Sequence, residues 1–500
     1  VSIRVDKNCA ICEQLCSFEL LVIRLFKGSL NIMSKHTRAH PWMANSAPGA
    51  IKAMLDEIGA SSVDEVFEQI PKDHFRSVPL DLPPILSSEI ALKRDLVTKL
   101  KKNEDCEANL SFLGAGVWQH HVPAIVDEIV GRTEFSTNVW GSYQSDYGRN
   151  QTWFEFSSQL GALLNLDVVQ LPVYSWGCAI GHAIRMAQRI TGRSRVLVSQ
   201  LSDPERLSVI RTYCQPTEMS SHIELELVAV DSSSGRMDCG DLASKMGDDV
   251  AAVYFENPAY LGTIETEAAK IASIARSAGA ETITGIDPLS LGVMTAPGDY
   301  GADIVTGPVQ PLGVHMQCGG GVGGFIASRD EEKYVLEYNG FLVSIAETIE
   351  EGQVGFGLAC PHQNSYGSRE HGKDWTGNST YLWAIAGAVY MSLLGPEGFR
   401  ELGNLIVSRA RYAAQCLAEV PGVRIVWPNS TFKEFVVNFD GTGKTVVELN
   451  DLLRARGIFG GKDISGENNA LGQSALYCVT EVHTAADIRR LANTMKEVLS

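Results

Sequence analysis

Through the middle of this chain, short apolar runs alternate with segments of helical period, and that alternation restricts the fold more than any other feature. The runs SRVLVSQ at 194–200, AAVYFENP at 251–258, ETITGID at 281–287 and GGFIASRD at 323–330 are too continuous in hydrophobicity for half-exposed strands. They predict strands covered on both faces. Between them, IGHAIRMAQRITG and TEAAKIASIARSAG carry apolar residues at helical spacing and stop at glycine, the residue that tolerates the left-handed turn ending a helix. Repeated strand and helix predict an α/β domain, a large mostly parallel mixed sheet sheathed by helices. A ligand crevice is then expected outside the carboxyl ends of the strands.

The flanks read differently. A helix rich in alanine and leucine is expected over roughly 380–394, then a strand in EFVVNF, a helix in VVELNDLLRARG, a strand in SALYCVTEV and a last helix after Thr484. Thr484 and Asp487 have capping-box spacing, and Ile488, Leu491, Met495 and Leu499 share one face. This is a smaller α+β domain. Before the central part, Ile51, Met54, Leu55 and Ile58 form one helical face, and Ser62 with Glu65 predicts a capped helix with a buried stripe of Val63, Val66, Phe67 and Ile70. A further helix is expected near 88–102. The predicted division is a non-core N-terminal extension over 1–32, a helical arm over 33–110, a large α/β domain over 111–375 and a small α+β domain over 376–500.

Composition matters for what it excludes. With 42 basic against 59 acidic residues the formal charge is −17, which repels a phosphate backbone and argues against nucleic acid. The apolar run LWAIAGAVYMSLLG from Leu382 falls short of the roughly 20 residues that span a bilayer, so no membrane partner is expected. Eleven cysteines are scattered singly through apolar contexts, which suits a reducing cytoplasm. Cys9, Cys12 and Cys16 have the spacing of a thiolate site, but no second pair follows, and no metal is expected.

Several residues are candidates for chemistry. Asp287 closes a predicted central strand, where a carboxylate either caps a turn or holds a cofactor's ring nitrogen protonated. Glycines on both sides of the next strand, in GADIVTG and CGGGVGGF, permit either a tight packing turn or a phosphate cradle. The segment lacks the lysine and hydroxyl order of a P-loop. His120 and His121 are adjacent, which disfavours a shared metal and favours a hydrogen-bonded His120. His182, on a predicted helix, and His371 lack a nucleophile and an acid for triad chemistry.

The stretches FLGAGVWQHHVPAIVDEI from Phe112, NLDVVQLPVYS from Asn165, RITGRSRVLVS from Arg189, DPLSLG from Asp287 and GDYGADIVTG from Gly298 carry a family resemblance. So do VPGVRI, FKEFVVNF and LYCVTEV. From about Arg38 to its C-terminus the chain resembles the amino-terminal half, or separate first subunit, of pyridoxal-phosphate-dependent glycine decarboxylase, the P protein of the glycine cleavage system. The resemblance implies the fold type I, aminotransferase-like architecture. It also implies that the lysine holding pyridoxal phosphate belongs to a second, related subunit. The corresponding place here, after GADIVTG, is Gln310, and an amide cannot form the internal aldehyde linkage. Lys373, in REHGKDW, is expected to be an ion-pair or surface residue.

The resemblance implies an oxidoreductase complex that decarboxylates glycine and passes the aminomethyl fragment to the lipoyl group of H protein. The expected assembly is a heterotetramer with two copies of each subunit, with the isolated chain inactive. Asp287 and Gln310, with Thr376 and Asn378, would mark a degenerate cofactor cleft. Tyr143 and Gln144 match the Tyr-Gln of the family loop YTPYQPEISQG, implied to reach the partner's site, whereas Ser145 and Asp146 replace its proline and glutamate. The segment DWTGNSTYLW also departs from the family form, near ATSNICTNQAL, while keeping Thr376, Asn378 and Thr380. These departures leave two alternatives: a first subunit acting on another small amino acid, and a noncatalytic scaffold or regulator.

Overall fold

A computed structural model describes residue 39 and residues 42–500, apart from 76, 77, 79, 85, 87, 137–142, 215, 321, 364–367, 375–379 and 468; the side chains of 143–148, 361 and 469 also lie outside the description. Contacts divide the chain into two units, one ending at Lys101 and the other running from Lys102 to Ser500.

In the first unit, α1 (Pro48–Ile58) starts on a proline and stops at Gly59 in the left-handed conformation, and α2 (Glu89–Leu100) follows later. The predicted stripe forms only a short 3-10 turn, Val63–Phe67. Glu65 accepts from the Ser61 amide (2.8 Å) and hydroxyl, not from Ser62. Val63, Val66, Phe67 and Ile70 are exposed, contrary to expectation. Helical spacing fixes which residues share a face but says nothing of what covers that face.

The second unit begins its helices with α3 (Ala124–Val130), α4 (Tyr143–Leu164), α5 (Trp176–Thr191), α6 (Pro204–Cys214), α7 (Cys239–Lys245) and α8 (Ala268–Ser277). Its large sheet comprises β1 (Val168–Val169), β2 (Arg195–Ser199), β3 (Glu224–Val228), β4 (Val250–Glu256), β5 (Glu281–Gly285), β6 (Ile304–Pro308) and β7 (Gly324–Ser328). The spatial order is β1-β7-β6-β5-β4-β2-β3. Strands β3, β2, β4, β5 and β6 run parallel, and β7 is antiparallel to both of its neighbours.

Period-two alternation sends successive residues to opposite faces. Val196, Val198, Ala252, Tyr254, Ile283, Ile304 and Ile326 meet α5 in one core. From the other face, Val305, Phe325 and Ala327 meet Trp153, Phe156 and Leu160 of α4, while Leu197, Val253 and Phe255 meet α7 and α8. Both faces are covered, which is why these strands read as unbroken apolar runs.

A hairpin of β8 (Leu342–Glu347) and β9 (Val354–Ala359) leads towards α9 (Tyr381–Ala418), and Gly395 at φ 56° and ψ −179° breaks that helix into two segments. Residues before Gly395 pack in the large-sheet core and Ala410–Leu417 in the small-sheet core. The small sheet has the order β10 (Arg424–Val426), β11 (Glu434–Asn438), β13 (Ser474–Cys478), β12 (Lys462–Asp463), all antiparallel. It is backed by α10 (Val446–Arg454) and α11 (Ala485–Leu499), the latter opened by the Thr484–Asp487 capping box. No helix among the described residues is long and apolar enough to cross a membrane.

Candidate functional site

Strands β4, β5 and β6 end side by side, and the chain there turns into loops that face the head of β11. This is where a parallel sheet places a ligand crevice. Asp287 lies two residues past β5 and is 3% exposed. Its Oδ1 accepts from the Leu289 amide at 3.1 Å, capping a short turn, while Oδ2 stands 2.6 Å from Lys433 Nζ. Lys433 immediately precedes β11 and is as buried as its partner.

The same amine lies 3.6 Å from the centroid of the Trp118 ring and 2.9 Å from His120 Nε2. If the amine donates, His120 carries its proton on Nδ1, which faces Glu481 Oε2 at 2.7 Å. Burial pushes the Glu481 carboxyl up, but His120 and the His121 backbone amide outweigh it and hold the carboxyl down at about 2. A chain of carboxylate, amine, imidazole and carboxylate therefore links the strand end of the large sheet to the small sheet.

Gln310 lies two residues past β6 and is 2% exposed. The Trp118 amide donates to its Oε1 at 3.1 Å, and its Nε2 donates to the Trp118 carbonyl at 2.8 Å and the Val314 carbonyl at 3.3 Å. Both ends of the amide are thus engaged with the backbone, and the residue fixes the segment that carries Trp118.

Behind these groups Arg206 donates to Glu256 at 2.9 and 2.8 Å, pairs with Asp203 at 3.0 Å and stacks 4.0 Å from the Trp176 ring. Burial raises the Glu434 carboxyl, although it accepts from the Ala115 amide at 2.6 Å. Close approach explains two glycines: a Cβ on Gly116 would lie 2.6 Å from Arg206, and one on Gly262 only 1.9 Å from the Glu434 carbonyl oxygen. Both have positive φ.

Asp287 and Gln310 border one region, joined by Lys433, Trp118, His120 and Glu481. The sequence reading did not assign Lys433, Trp118 or Glu481 to it. Lys433 carried one signal, a Lys-Glu charge pair at the head of the apolar run FVV. Thr376 and Asn378 lie outside the described residues, as do the side chains of Tyr143 and Gln144, although Tyr143 opens α4. Cys9, Cys12 and Cys16 are also outside them.

Thr380 is buried and donates to the Pro172 carbonyl at 2.6 Å. Lys373 pairs with Glu337 at 3.0 Å. His182 is buried beside Tyr213 and Asn339, and desolvation pushes its imidazole pKa down.

A sheet of this order with one antiparallel strand, a second smaller sheet, and an acid just past a central strand define the fold type I class of pyridoxal phosphate enzymes. A sphingosine-1-phosphate lyase from Burkholderia pseudomallei shares this fold at a TM-score of 0.60 and 14% identity, and a NifS-like protein at 0.57 and 14%. Within that class the match narrows sharply. The glycine cleavage system P-protein model matches residues 45–495, and the chain belongs to that family. A probable glycine dehydrogenase (decarboxylating) subunit 1 of Saccharolobus islandicus is 35% identical over 467 residues, covering 92% of this chain and 98% of that one. Its namesake in Staphylothermus marinus is 32% identical over 471 residues, covering 92% and 99%. A crystal structure of glycine decarboxylase (P-protein) in inhibitor-bound form superposes with a TM-score of 0.81 at 32% identity, over 92% of this chain and 100% of that one.

The class implies pyridoxal phosphate, but the residues at this chain's own strand ends do not fit it. Gln310 offers no amine, Asp287 already faces a cation, and the surrounding side chains leave a void of about 20 Å³. That is room for about one water, against the roughly 300–1,000 Å³ of small-molecule sites.

Proposed function

We propose that this chain is subunit 1 of a two-subunit glycine decarboxylase, an obligate but cofactor-free component. The single observation that carries this reading is the filled cleft, with Gln310 bound at both ends of its amide and Lys433 facing Asp287. It occurs in a chain matched along 92% of its length by proteins named subunit 1. The complementary subunit supplies the lysine and the pyridoxal phosphate, whose ring takes up the electrons released when the carboxylate of glycine leaves as carbon dioxide. This chain's contribution is to complete and enclose that site, through the Tyr143–Gln144 stretch at the start of α4 and the polar segment with Thr376 and Asn378. The aminomethyl product passes to the lipoyl group of H protein. Two copies of each subunit form the assembly, and the cytoplasm is its compartment, in keeping with eight described cysteines that are all free thiols.

The test is reconstitution. The chain alone is expected to release no labelled carbon dioxide from carboxyl-labelled glycine. With a second subunit carrying pyridoxal phosphate, and with H protein, release is expected. Release confined to a different small amino acid would move the substrate assignment, and no stable association with a second subunit would reject the reading.

A further inference from the structure

We infer that Lys433 is a built-in plug, an internal occupant of a latent pyridoxal phosphate site, and that its side chain, more than the missing amine at Gln310, keeps the cofactor out of this chain. The inference rests on the subunit reading above and deepens it, because it explains how one subunit of a related pair is kept empty.

The amine stands 2.6 Å from Asp287 and 3.6 Å from the Trp118 ring centroid. These are the two interactions that a protonated pyridine ring would make with an acid and an aromatic platform. The match is one of chemistry: a buried cation over an indole face and against the strand-end carboxylate. His120 fixes the amine from a third side at 2.9 Å, and Glu481 holds His120 at 2.7 Å. The plug is therefore rooted at the head of β11 in the small sheet, while its amine reaches the acid past β5 of the large sheet.

A second cavity adjoins the filled void that Lys433 borders. This cavity of about 140 Å³ lies at the N-terminus of α5, lined by Ser175, Trp176, Gly177, Arg206, Gly319 and Val322 among others. Asp203 and Glu205 also line it, and Asp203 is paired with Arg206 at 3.0 Å. Trp176 and Arg206 border both this cavity and the filled void. Lys433 and Asp287 line the filled void and not this cavity.

The experiment uses the full chain with pyridoxal phosphate alone. An amine at position 310 condenses with the aldehyde and releases water. Borohydride then delivers hydride to the carbon–nitrogen double bond, leaving a pyridoxyl amine that mass mapping locates. Three variants separate amine from space: Gln310→Lys, Gln310→Lys with Lys433→Met, and Gln310→Lys with Lys433→Ala. Methionine keeps the volume and removes the charge, whereas alanine opens the site.

Adduct at position 310 is expected in the alanine double variant, with at least tenfold lower occupancy in the other two. Equal labelling of Gln310→Lys alone overturns the inference, and so does an unlabelled alanine double variant that still melts cooperatively. A second measurement needs no variant. In the native chain Lys433 is expected to be trapped by pyridoxal phosphate and borohydride at least tenfold more slowly than the exposed Lys52 and Lys99, and labelling at their rate overturns the plug. Because none of these readouts uses glycine or a second subunit, their failure is distinct from a failure of the reconstitution above.

Discussion

Removing either member of the Asp287–Lys433 pair should be far more damaging than removing both. The two groups are 2.6 Å apart with side chains 4% and 3% exposed. At an effective dielectric of about 20 their attraction is roughly 6 kcal/mol, most of it offset by the cost of taking both charges out of water. Lys433→Met leaves the Asp287 carboxylate buried against apolar atoms, and Asp287→Asn leaves the amine with only His120 and the Trp118 face. Each single variant is expected to lose about 3–5 kcal/mol. Asp287→Asn with Lys433→Met removes both charges at nearly constant volume and should lose no more than about 2 kcal/mol. Urea unfolding of the four proteins, read as a double-mutant cycle, gives the coupling directly. A double variant whose loss equals the summed losses of the singles would refute the idea that these groups stabilise one another.

Three other outcomes follow from the geometry. Glu481 is held at about 2, below its ordinary 4.5, so its contribution is fully present above pH 4.5 and is lost as pH falls towards 2. Glu481→Gln should cost about 3 kcal/mol at neutral pH, and its deficit relative to the native chain should shrink through that acid window in pH-dependent unfolding; a deficit constant with pH would count against the His120 pairing. Gly262→Ala would place a Cβ 1.9 Å from a backbone oxygen and should leave little folded chain, whereas Gly443→Ala, at φ 71° with nothing within 4 Å, should cost only about 1–2 kcal/mol of backbone strain; soluble yield and urea midpoints separate them. In the reconstituted complex, Tyr143→Phe should lower turnover at least tenfold, roughly the worth of one hydrogen bond to a charged group, while leaving association with the second subunit intact. Unchanged turnover removes the hydroxyl from the proposed site.

Most of the large sheet could be read from the sequence pattern. The runs at 194–200, 251–258 and 281–287 read as doubly covered strands because their central residues, Val196–Val198, Ala252–Phe255 and Thr282–Thr284, are buried on whichever face they meet. Pattern was enough there, as it was for α11 with its Thr484–Asp487 box, since both depend on residues close in sequence. The arm shows where pattern stops: Val63, Val66, Phe67 and Ile70 have the spacing of a buried stripe and are exposed among the described residues. The region near residue 395 shows it again, where one expected helix continues beyond a kink at Gly395 to Ala418.

By itself the sequence determined a parallel-sheet protein similar to the glycine decarboxylase family, and that resemblance implies Gln310 at the place of an aldehyde-binding lysine. Those statements rest on residue identity and local periodicity. Tertiary structure alone decided what fills the cleft. Lys433 and Asp287 are 146 positions apart in the chain, and no local preference couples a charge at the head of one sheet to an acid past the end of another. Burial makes that pairing obligatory, because an amine removed from water must find an anion, and only the folded chain shows which one it finds.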